Sequence, residues 1–164
     1  MRMSGAVLRL RPATQDEFDE WLPRQEAGYV EHIIASGSLP PGQAREKARR
    51  DTERAFGGGL GTPGQLVFRL LAEDEPVGWL WLAVPGSDAD PRNPRMAWIN
   101  DVEVDEAFRG RGYGRQAMLL AEQEAKVRGM TSIGLNVHGH NTVARALYDS
   151  LGYQVMTQQM KKPL

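Results

Sequence analysis

A glycine-rich turn between a strand-like and a helix-like segment constrains this chain more than any other feature. Residues 109–114 read Arg-Gly-Arg-Gly-Tyr-Gly, after an apolar run from Ala97 to Val104 and before a helical pattern from Gln116 to Arg128. Glycines adopt backbone conformations that a Cβ forbids and let a ligand approach the main chain closely. Because a helix begins with unpaired N–H groups and the positive end of its dipole, such a junction is suited to phosphate. A pyrophosphate-containing ligand fits this turn best.

Two other phosphate-binding patterns do not match this turn. The sequence contains no G-x-x-x-x-G-K-[ST] run, which a P-loop requires. A Rossmann fingerprint requires G-x-G-x-x-G with an acidic residue about 20 positions later, whereas these glycines are each two apart and no glycine lies three positions after Gly112 or Gly114. A turn that serves folding alone is the remaining alternative. The predicted pyrophosphate contacts are Arg109, Gly110, Arg111, Gly112, Tyr113, Gly114 and Arg115.

A second motif narrows the class of protein. Residues 141–153 read Asn-Thr-Val-Ala-Arg-Ala-Leu-Tyr-Asp-Ser-Leu-Gly-Tyr. Together with the preceding Arg109-x-x-Gly112-x-Gly114, this segment resembles the acyl-CoA signature of the GNAT superfamily of N-acetyltransferases, and the resemblance covers about residues 95–160. It implies an α/β (α+β) fold whose mixed, mostly antiparallel central sheet splays between its fourth and fifth strands, with about four flanking helices.

The same resemblance implies acetyl-CoA as cosubstrate and assigns residues to it. The pantetheine arm would pair with the backbone of Val102, Glu103 and Val104, as an added strand pairs with an exposed sheet edge, and an N–H near Val102 would polarise the thioester carbonyl. Asn141 and Ala144 would contact the cofactor. Tyr148 would lie beside the thioester and donate a proton to the departing thiolate, although a core aromatic is the plainer interpretation of this side chain.

The general base is less defined by the sequence. Many GNAT relatives carry a Glu-Asp pair in the middle of the fourth strand, where this chain has Asn100-Asp101. Asparagine cannot accept a proton, so Asn100 is predicted to hold a water molecule or the substrate, with Asp101 or Glu103 as candidates for the base. Alternation places Asp101 on the opposite face from Asn100 unless a bulge redirects it. Ordinary strand-face acids are the alternative.

Composition favours a single enzyme domain spanning residues 1–164, because 164 residues with 41% hydrophobic content bury one core. With 20 basic and 21 acidic residues, there is no electrostatic case for nucleic acid. We predict a cytoplasmic protein, since no apolar run is long enough to span a membrane and the N-terminus lacks a signal-peptide core. The absence of cysteine excludes a cysteine acyl-enzyme and favours direct attack in a ternary complex.

Periodicity predicts a strand–helix–helix start, three strands in succession and an alternating C-terminal half. Thr14 with Glu17 resembles a capping box that opens a helix toward His32, and a mostly exposed helix is expected from Ala44 to Phe56. The predicted strands are Val7–Arg11, Gln65–Ala72, Pro76–Val84, Arg95–Val104, Ser132–Val137 and Tyr153–Met160, and the predicted later helices are 113–128 and Thr142–Leu151.

The acceptor is predicted to be a primary amine, most plausibly on a small molecule. A protein lysine or N-terminus is an alternative, as is a CoA-binding regulatory module without catalysis; a homodimer is possible. Trp79 and Trp81 share a strand face and either pack against a helix or wall a cavity for a flat or cationic amine. Four acids would attract a cation: Glu26, Glu31, Asp88 and Asp90. His138-Gly139-His140 lacks the further ligands that a metal needs, so no metal is predicted.

Overall fold

Strands and helices follow the apolar periodicity of the chain closely. A computed structural model describes residues 6–85, 92 and 94–164. The strands are β1 Leu8–Pro12, β2 Gln65–Ala72, β3 Glu75–Ala83, β4 Met96–Val104 and β5 Ser132–Leu135. The helices are α1 Gln15–Ala35, α2 Pro41–Phe56, α3 Tyr113–Val127 and α4 Thr142–Ser150, with short 3-10 turns at Gly59–Gly61 and Glu106–Phe108. The predicted α/β fold with four helices is confirmed.

The five strands form one sheet in the order β1-β2-β3-β4-β5. All neighbours are antiparallel except β4 and β5, which are parallel. β5 pairs with Met96–Ile99 only, while β4 continues to Val104. The two strands therefore separate after Ile99, and the edge of β4 that faced β5 has no strand beside it from Asn100 onward in the part of the chain that the structure describes. This is the mixed, splayed sheet that the sequence predicts.

Helices cover both faces of the sheet and create two apolar cores. On one face, α3 packs Ala117, Met118 and Ala121 against β1, β3 and β4. On the other face, α1 and α2 enclose an aromatic cluster in which Trp21 stacks on Trp79 with ring centroids 5.7 Å apart and meets Trp81 edge-on at 5.8 Å. The two β3 tryptophans are 4% and 8% exposed. Both pack against the helices on this face, which is the first of the two predicted arrangements.

The start of α1 has the capping box that its sequence predicts. The Thr14 side chain accepts a hydrogen bond from the Glu17 N–H, and the Glu17 carboxylate accepts one from the Thr14 N–H at 2.9 Å. Arg11 of β1 pairs with the same carboxylate at 2.6 Å, and its hydrogen bond is the main reason that the pKa of Glu17 is lowered to about 2. The Glu17 carboxylate therefore links the end of β1 to the first turn of α1.

The prediction of a C-terminal strand from Tyr153 to Met160 is wrong. Residues 153–164 have no helix or strand pairing, because a strand needs a neighbour to satisfy its backbone groups and β5 pairs only with β4 among the described residues. β5 also ends at Leu135, two residues earlier than predicted.

Much of the predicted loop 85–94, including Asp88 and Asp90, lies outside the described residues. No helix in the described part has both the length and the apolar character needed to cross a bilayer.

Candidate active site

The glycine turn connects the end of β4 to the start of α3. Gly110 and Gly112 have φ values of 75° and 80°, a left-handed backbone region that costs other L-residues about 1–2 kcal/mol. Gly112 is the N-cap of α3. An added Cβ would meet no atom within 4 Å at either position. These two glycines are therefore required by backbone conformation and not by crowding within the chain, and the space beside them is open to a ligand.

Backbone N–H groups converge at this end of α3 without competing negative charge. The first turn of α3 contains no acidic residue, and glycine at the N-cap supplies no side-chain acceptor. The helix is held firmly in place: Tyr113 is buried in the core, and the Gln116 side chain accepts a hydrogen bond from the Leu8 N–H of β1 at 2.9 Å. This fixed, positive helix end is suited to bind a phosphate group.

The three arginines of the turn differ in their contacts. Arg109 donates to the Val104 carbonyl at 2.9 Å, and Arg111 donates to the Ala107 carbonyl at 3.2 Å while its guanidinium lies 5.4 Å from the Phe108 ring centre. Both side chains are exposed and keep further N–H groups for a ligand. Arg115 donates to the Ser150 hydroxyl and so ties α3 to α4, a contact that the sequence did not indicate.

A β-bulge shapes the middle of β4. In the β3–β4 ladder Trp81 pairs with Asp101 but Leu82 pairs with Ile99, so Asn100 is the extra residue. Because of the bulge, Ile99 and Val102 both lie on the face of β4 that belongs to the core under α3. Asp101 pairs with Trp81 of β3. The sequence predicted that Asp101 would lie on the opposite face of the strand from Asn100 unless a bulge redirected it, and the structure contains that bulge.

Asp101 is half-buried, whereas Asn100 and Glu103 are exposed. Burial, reinforced by the negative charge of Glu103 and opposed by hydrogen bonding from the Val102 N–H, raises the pKa of Asp101 to about 7. A carboxyl group with such a pKa exchanges protons readily at neutral pH, which is what a general base requires. Of the three polar candidates on β4, Asp101 has the environment best suited to proton transfer.

The α4 motif places Asn141, Ala144 and Tyr148 along one short helix. Asn141 is the N-cap, and its side-chain oxygen accepts a hydrogen bond from the Ala144 N–H at 3.2 Å. Tyr148 is half-buried against the α3-side core. Burial, followed by the charge of Asp101, raises the pKa of its phenol. Tyr148 and Asp101, which are 47 positions apart in sequence, are therefore electrostatic neighbours, and the phenol is kept in its protonated form.

Three histidine rings stack where the end of α1 meets the loop between β5 and α4. The His138 ring is 5.6 Å from both the His32 and His140 rings and nearly parallel to each. Burial, then the charges of His32 and His140, lower the pKa of His138. Among the described residues no group of histidine and acidic side chains is arranged to hold a metal ion. The sequence does not indicate the position of His32, because nothing in the α1 pattern shows that its last turn reaches the β5–α4 loop.

Replacing Gly112 with alanine is expected to weaken CoA binding by about tenfold or more, because a Cβ at φ 80° is strained and redirects the N–H groups at the start of α3. The measurement is the CoA-dependent rise in melting temperature. Gly129 is the matched control: it follows α3 at the other end of the helix with φ 78°, so Gly129→Ala carries a similar strain but should bind CoA normally. CoA binding by Gly112→Ala at the parental affinity would contradict the pyrophosphate assignment.

A five-stranded sheet with one parallel pair, an open β4 edge and a glycine turn at a helix start defines the architecture of the acyl-CoA-dependent acetyltransferases. The model of the acetyltransferase (GNAT) family matches residues 16–153, and the chain belongs to this family. It is 32% identical over 160 residues to the uncharacterized N-acetyltransferase YycN of Bacillus subtilis (strain 168), covering 96% of this chain and 99% of YycN. The crystal structure of YycN covers 96% of this chain and 98% of its own with a TM-score of 0.84.

The chain is also similar in sequence to a ribosomal-protein acetyltransferase and in fold to the structure of AAC(6')-Iy. The ribosomal protein bS18 alanine N-acetyltransferase of Salmonella typhimurium is 36% identical over 128 residues, covering 76% of this chain and 80% of that protein. The structure of AAC(6')-Iy in complex with the bisubstrate analog CoA-S-monomethyl-acetylneamine is 15% identical, with a TM-score of 0.61 over 96% of this chain and 97% of that one. At this identity the likeness shows the fold alone.

Proposed function

We propose that this protein transfers the acetyl group of acetyl-CoA to a primary amine by direct attack, with Asp101 as general base and Tyr148 as general acid. One observation supports this proposal above all others: a carboxyl group with a pKa near 7 and a phenol kept protonated are electrostatic neighbours on β4 and α4. Two titratable groups whose environments prepare one to accept and the other to donate a proton are typical of an acid–base site.

Asp101 and Tyr148 act at separate steps of the reaction. An ammonium ion is not a nucleophile, so Asp101 accepts a proton from the acceptor amine, directly or through a water molecule held by Asn100. The amine nitrogen then forms a bond to the thioester carbonyl carbon, and the carbon–sulfur bond breaks. Tyr148 donates its proton to the departing thiolate. No cysteine exists in the chain to carry the acetyl group, so a single transfer within a ternary complex is the simplest route.

The turn and the open strand edge account for the cosubstrate. The pyrophosphate of acetyl-CoA would contact the turn from Arg109 to Arg115, where Gly110 and Gly112 leave open space. Its pantetheine amides would hydrogen-bond along β4 from Val102 to Val104, the stretch beyond the β5 pairing. Asn141 and Ala144, at the start of α4, would border the pantetheine arm. These contacts would deliver the thioester to the point at which β4 and β5 separate.

A small-molecule amine is the favoured acceptor, and a protein N-terminus is the second candidate. The second candidate is favoured by the 36% identity to the ribosomal protein bS18 alanine N-acetyltransferase. A panel of small amines, lysine peptides and free-N-terminal peptides, each assayed with acetyl-CoA for release of free CoA thiol, separates the two. Acetyl transfer to none of them, with CoA still bound, would instead favour the non-catalytic CoA-binding module.

Initial rates measured against both substrates are expected to give intersecting double-reciprocal lines, because direct attack requires acetyl-CoA and amine to be bound together. Intact-mass spectrometry of the enzyme incubated with acetyl-CoA alone should show no kinetically competent acetyl adduct. Parallel lines with such an adduct would contradict direct attack and require an enzyme nucleophile.

A further inference from the structure

All three histidines of the chain meet in one place, which we call the histidine stack. It consists of His32 in the last turn of α1 and of His138 and His140 in the loop before α4. The middle ring, His138, is 5.6 Å from each of the others and is tilted from them by only 17° and 15°. All three residues are exposed, and none belongs to either apolar core. Core packing therefore does not account for the stack.

The ring nitrogens of the histidine stack have no partner within the part of the chain that the structure describes. No described group forms a hydrogen bond with one of them, and no described carboxylate forms a salt bridge with one. A neutral imidazole offers one N–H donor and one acceptor, and a protonated imidazole offers two donors. These nitrogens are therefore available to a ligand.

The charges that act on the middle ring come from the stack itself. Burial and the charges of His32 and His140 lower the pKa of His138, and no described carboxylate raises it. The acid next to the stack on α1, Glu31, lies about 100° around the helix from His32. Residues 136–141 contain no other titratable side chain. The remaining titratable residues on the adjoining cleft are Glu122, Lys126, Arg145, Tyr148, Asp149, Tyr153 and Lys161.

The histidine stack lies on the wall of a wide cleft that also contains the proposed acid. His138 and His140 line this cleft together with Trp98 and Tyr148, and its volume is about 1370 Å³. Pockets for drug-sized ligands have volumes of roughly 300–1,000 Å³, so a small amine does not fill this cleft. Its nitrogen is held in one orientation at the thioester only if a second group of the same molecule is anchored elsewhere on the wall.

We propose that the histidine stack binds an anionic group, a carboxylate or a phosphate, of the acceptor amine. The anion would accept charge-assisted hydrogen bonds from the imidazoles, which take up protons as it binds. Its negative charge would offset the mutual repulsion of the three rings. Arg145 lines the same cleft, and α4 begins beside the stack with no acidic residue in its first turn, so both add positive charge.

The acceptor class that follows is a small amino acid or amino phosphate, and not a plain alkylamine. The part of this inference that concerns the acceptor rests on the proposed function. Anion binding by the histidine stack does not, because it needs neither acetyl-CoA nor turnover.

Histidine NMR on the full chain without CoA tests anion binding directly. The chain has only three histidines, so their ring Cε1–H signals report on the stack and not on the glycine turn. Inorganic phosphate should shift all three signals saturably and raise the pKa of His138, because an anion opposes the repulsion that lowers it. Sodium chloride at equal ionic strength should not. Signals that move no further with phosphate than with chloride would overturn the proposal.

His138→Gln removes the charge of the middle ring and keeps a side chain that forms hydrogen bonds. It should weaken phosphate binding about tenfold or more, the usual effect of losing a hydrogen bond to a charged group, and His140→Gln gives a second measurement. Lys126→Gln is the matched control, because it removes a positive charge from the same cleft outside the stack, and it should bind phosphate as the parent does. Equal losses in His138→Gln and Lys126→Gln would assign the effect to the general charge of the cleft and overturn the histidine site. Circular dichroism verifies that these exposed substitutions leave the fold intact.

Matched acceptor pairs test the role of the stack in acetyl transfer. β-Alanine carries a carboxylate where propylamine has a methyl group, and O-phosphoethanolamine carries a phosphate that ethanolamine lacks. The anionic member of at least one pair should have a KM lower by about 10- to 100-fold. His138→Gln should remove this advantage through KM and not through kcat. The advantage of β-alanine should also shrink between about pH 6 and pH 8, as the imidazoles lose their protons.

The two experiments separate this inference from the proposed function. Phosphate-dependent histidine shifts without acetyl transfer to any amine would confirm anion binding and contradict the proposed function. Acetyl transfer with equal KM values within each acceptor pair would support the proposed function and overturn the role of the histidine stack in binding the acceptor.

Discussion

Replacing Asp101 with asparagine is expected to lower kcat/KM by about 10²- to 10⁴-fold, the usual contribution of a positioned general base. Asparagine keeps the shape of the side chain but cannot accept a proton. In the parent enzyme kcat/KM should rise with pH through about 7, the pKa that burial gives to Asp101, and the variant should lack this limb. A pH–rate profile of both proteins measures the effect, and an unchanged rate in a folded variant would remove Asp101 from the mechanism.

The same substitution is expected to stabilise the protein at neutral and alkaline pH. The pKa of Asp101 is about 7 in the folded state, against 3.8 for an ordinary aspartate, so the folded state binds the proton more tightly than the unfolded state. Stability of the parent is therefore undiminished below about pH 4 and falls as pH rises toward 7, where Asp101 ionises. Asp101→Asn removes that penalty, and its gain in melting temperature should be large at pH 8 and absent at pH 4.

Glu103→Gln is the matched control on the same strand. Glu103 is exposed, and its charge is one cause of the raised pKa of Asp101. Its removal should leave most of the activity and shift the acidic limb of the rate profile to lower pH, because Asp101 then ionises more easily. A large loss of activity in Glu103→Gln together with an active Asp101→Asn would exchange the roles of the two acids.

Replacing Tyr148 with phenylalanine is expected to lower kcat by about 10²-fold while CoA affinity and fold stay nearly unchanged, since only the phenolic oxygen is removed. The raised pKa of Tyr148 keeps the proton on the phenol throughout the neutral range, so activity should decline only at strongly alkaline pH, and Tyr148→Phe should lack that decline. Steady-state kinetics from pH 6 to the alkaline limit of enzyme stability measure both effects.

Tyr153→Phe separates a general acid from a packing aromatic. Tyr153 lies beside Tyr148 with ring centroids 5.9 Å apart and belongs to the same core, but the proposed mechanism gives it no proton to donate. Tyr153→Phe should keep the parental kcat. Equal, small losses of stability in both variants with unchanged turnover would show that Tyr148 only packs, and would leave the thiolate without a named proton donor.

The histidine stack and the Arg115–Ser150 contact are features that could not be predicted from the sequence. His32 and His138 lie on different elements, 106 positions apart, and stack because α1 ends beside the loop after β5. Arg115 reaches Ser150 because the first turn of α3 lies close to the end of α4. Neither residue pair follows a local pattern, so only the packing of distant elements brings them together.

The sequence by itself determined the family, the order of the elements from β1 to α4 and the conformations that depend on near neighbours. Gly110 and Gly112 predicted a turn that a Cβ would forbid, Thr14 and Glu17 predicted a capping box, and alternation predicted that Trp79 and Trp81 share one face of β3, because backbone sterics and hydrogen bonds act over a few residues. Tertiary structure decided the rest. The bulge at Asn100 depends on pairing with β3, and the pKa of Asp101 depends on burial. These properties arise from contacts between distant segments, and only the folded chain sets those distances.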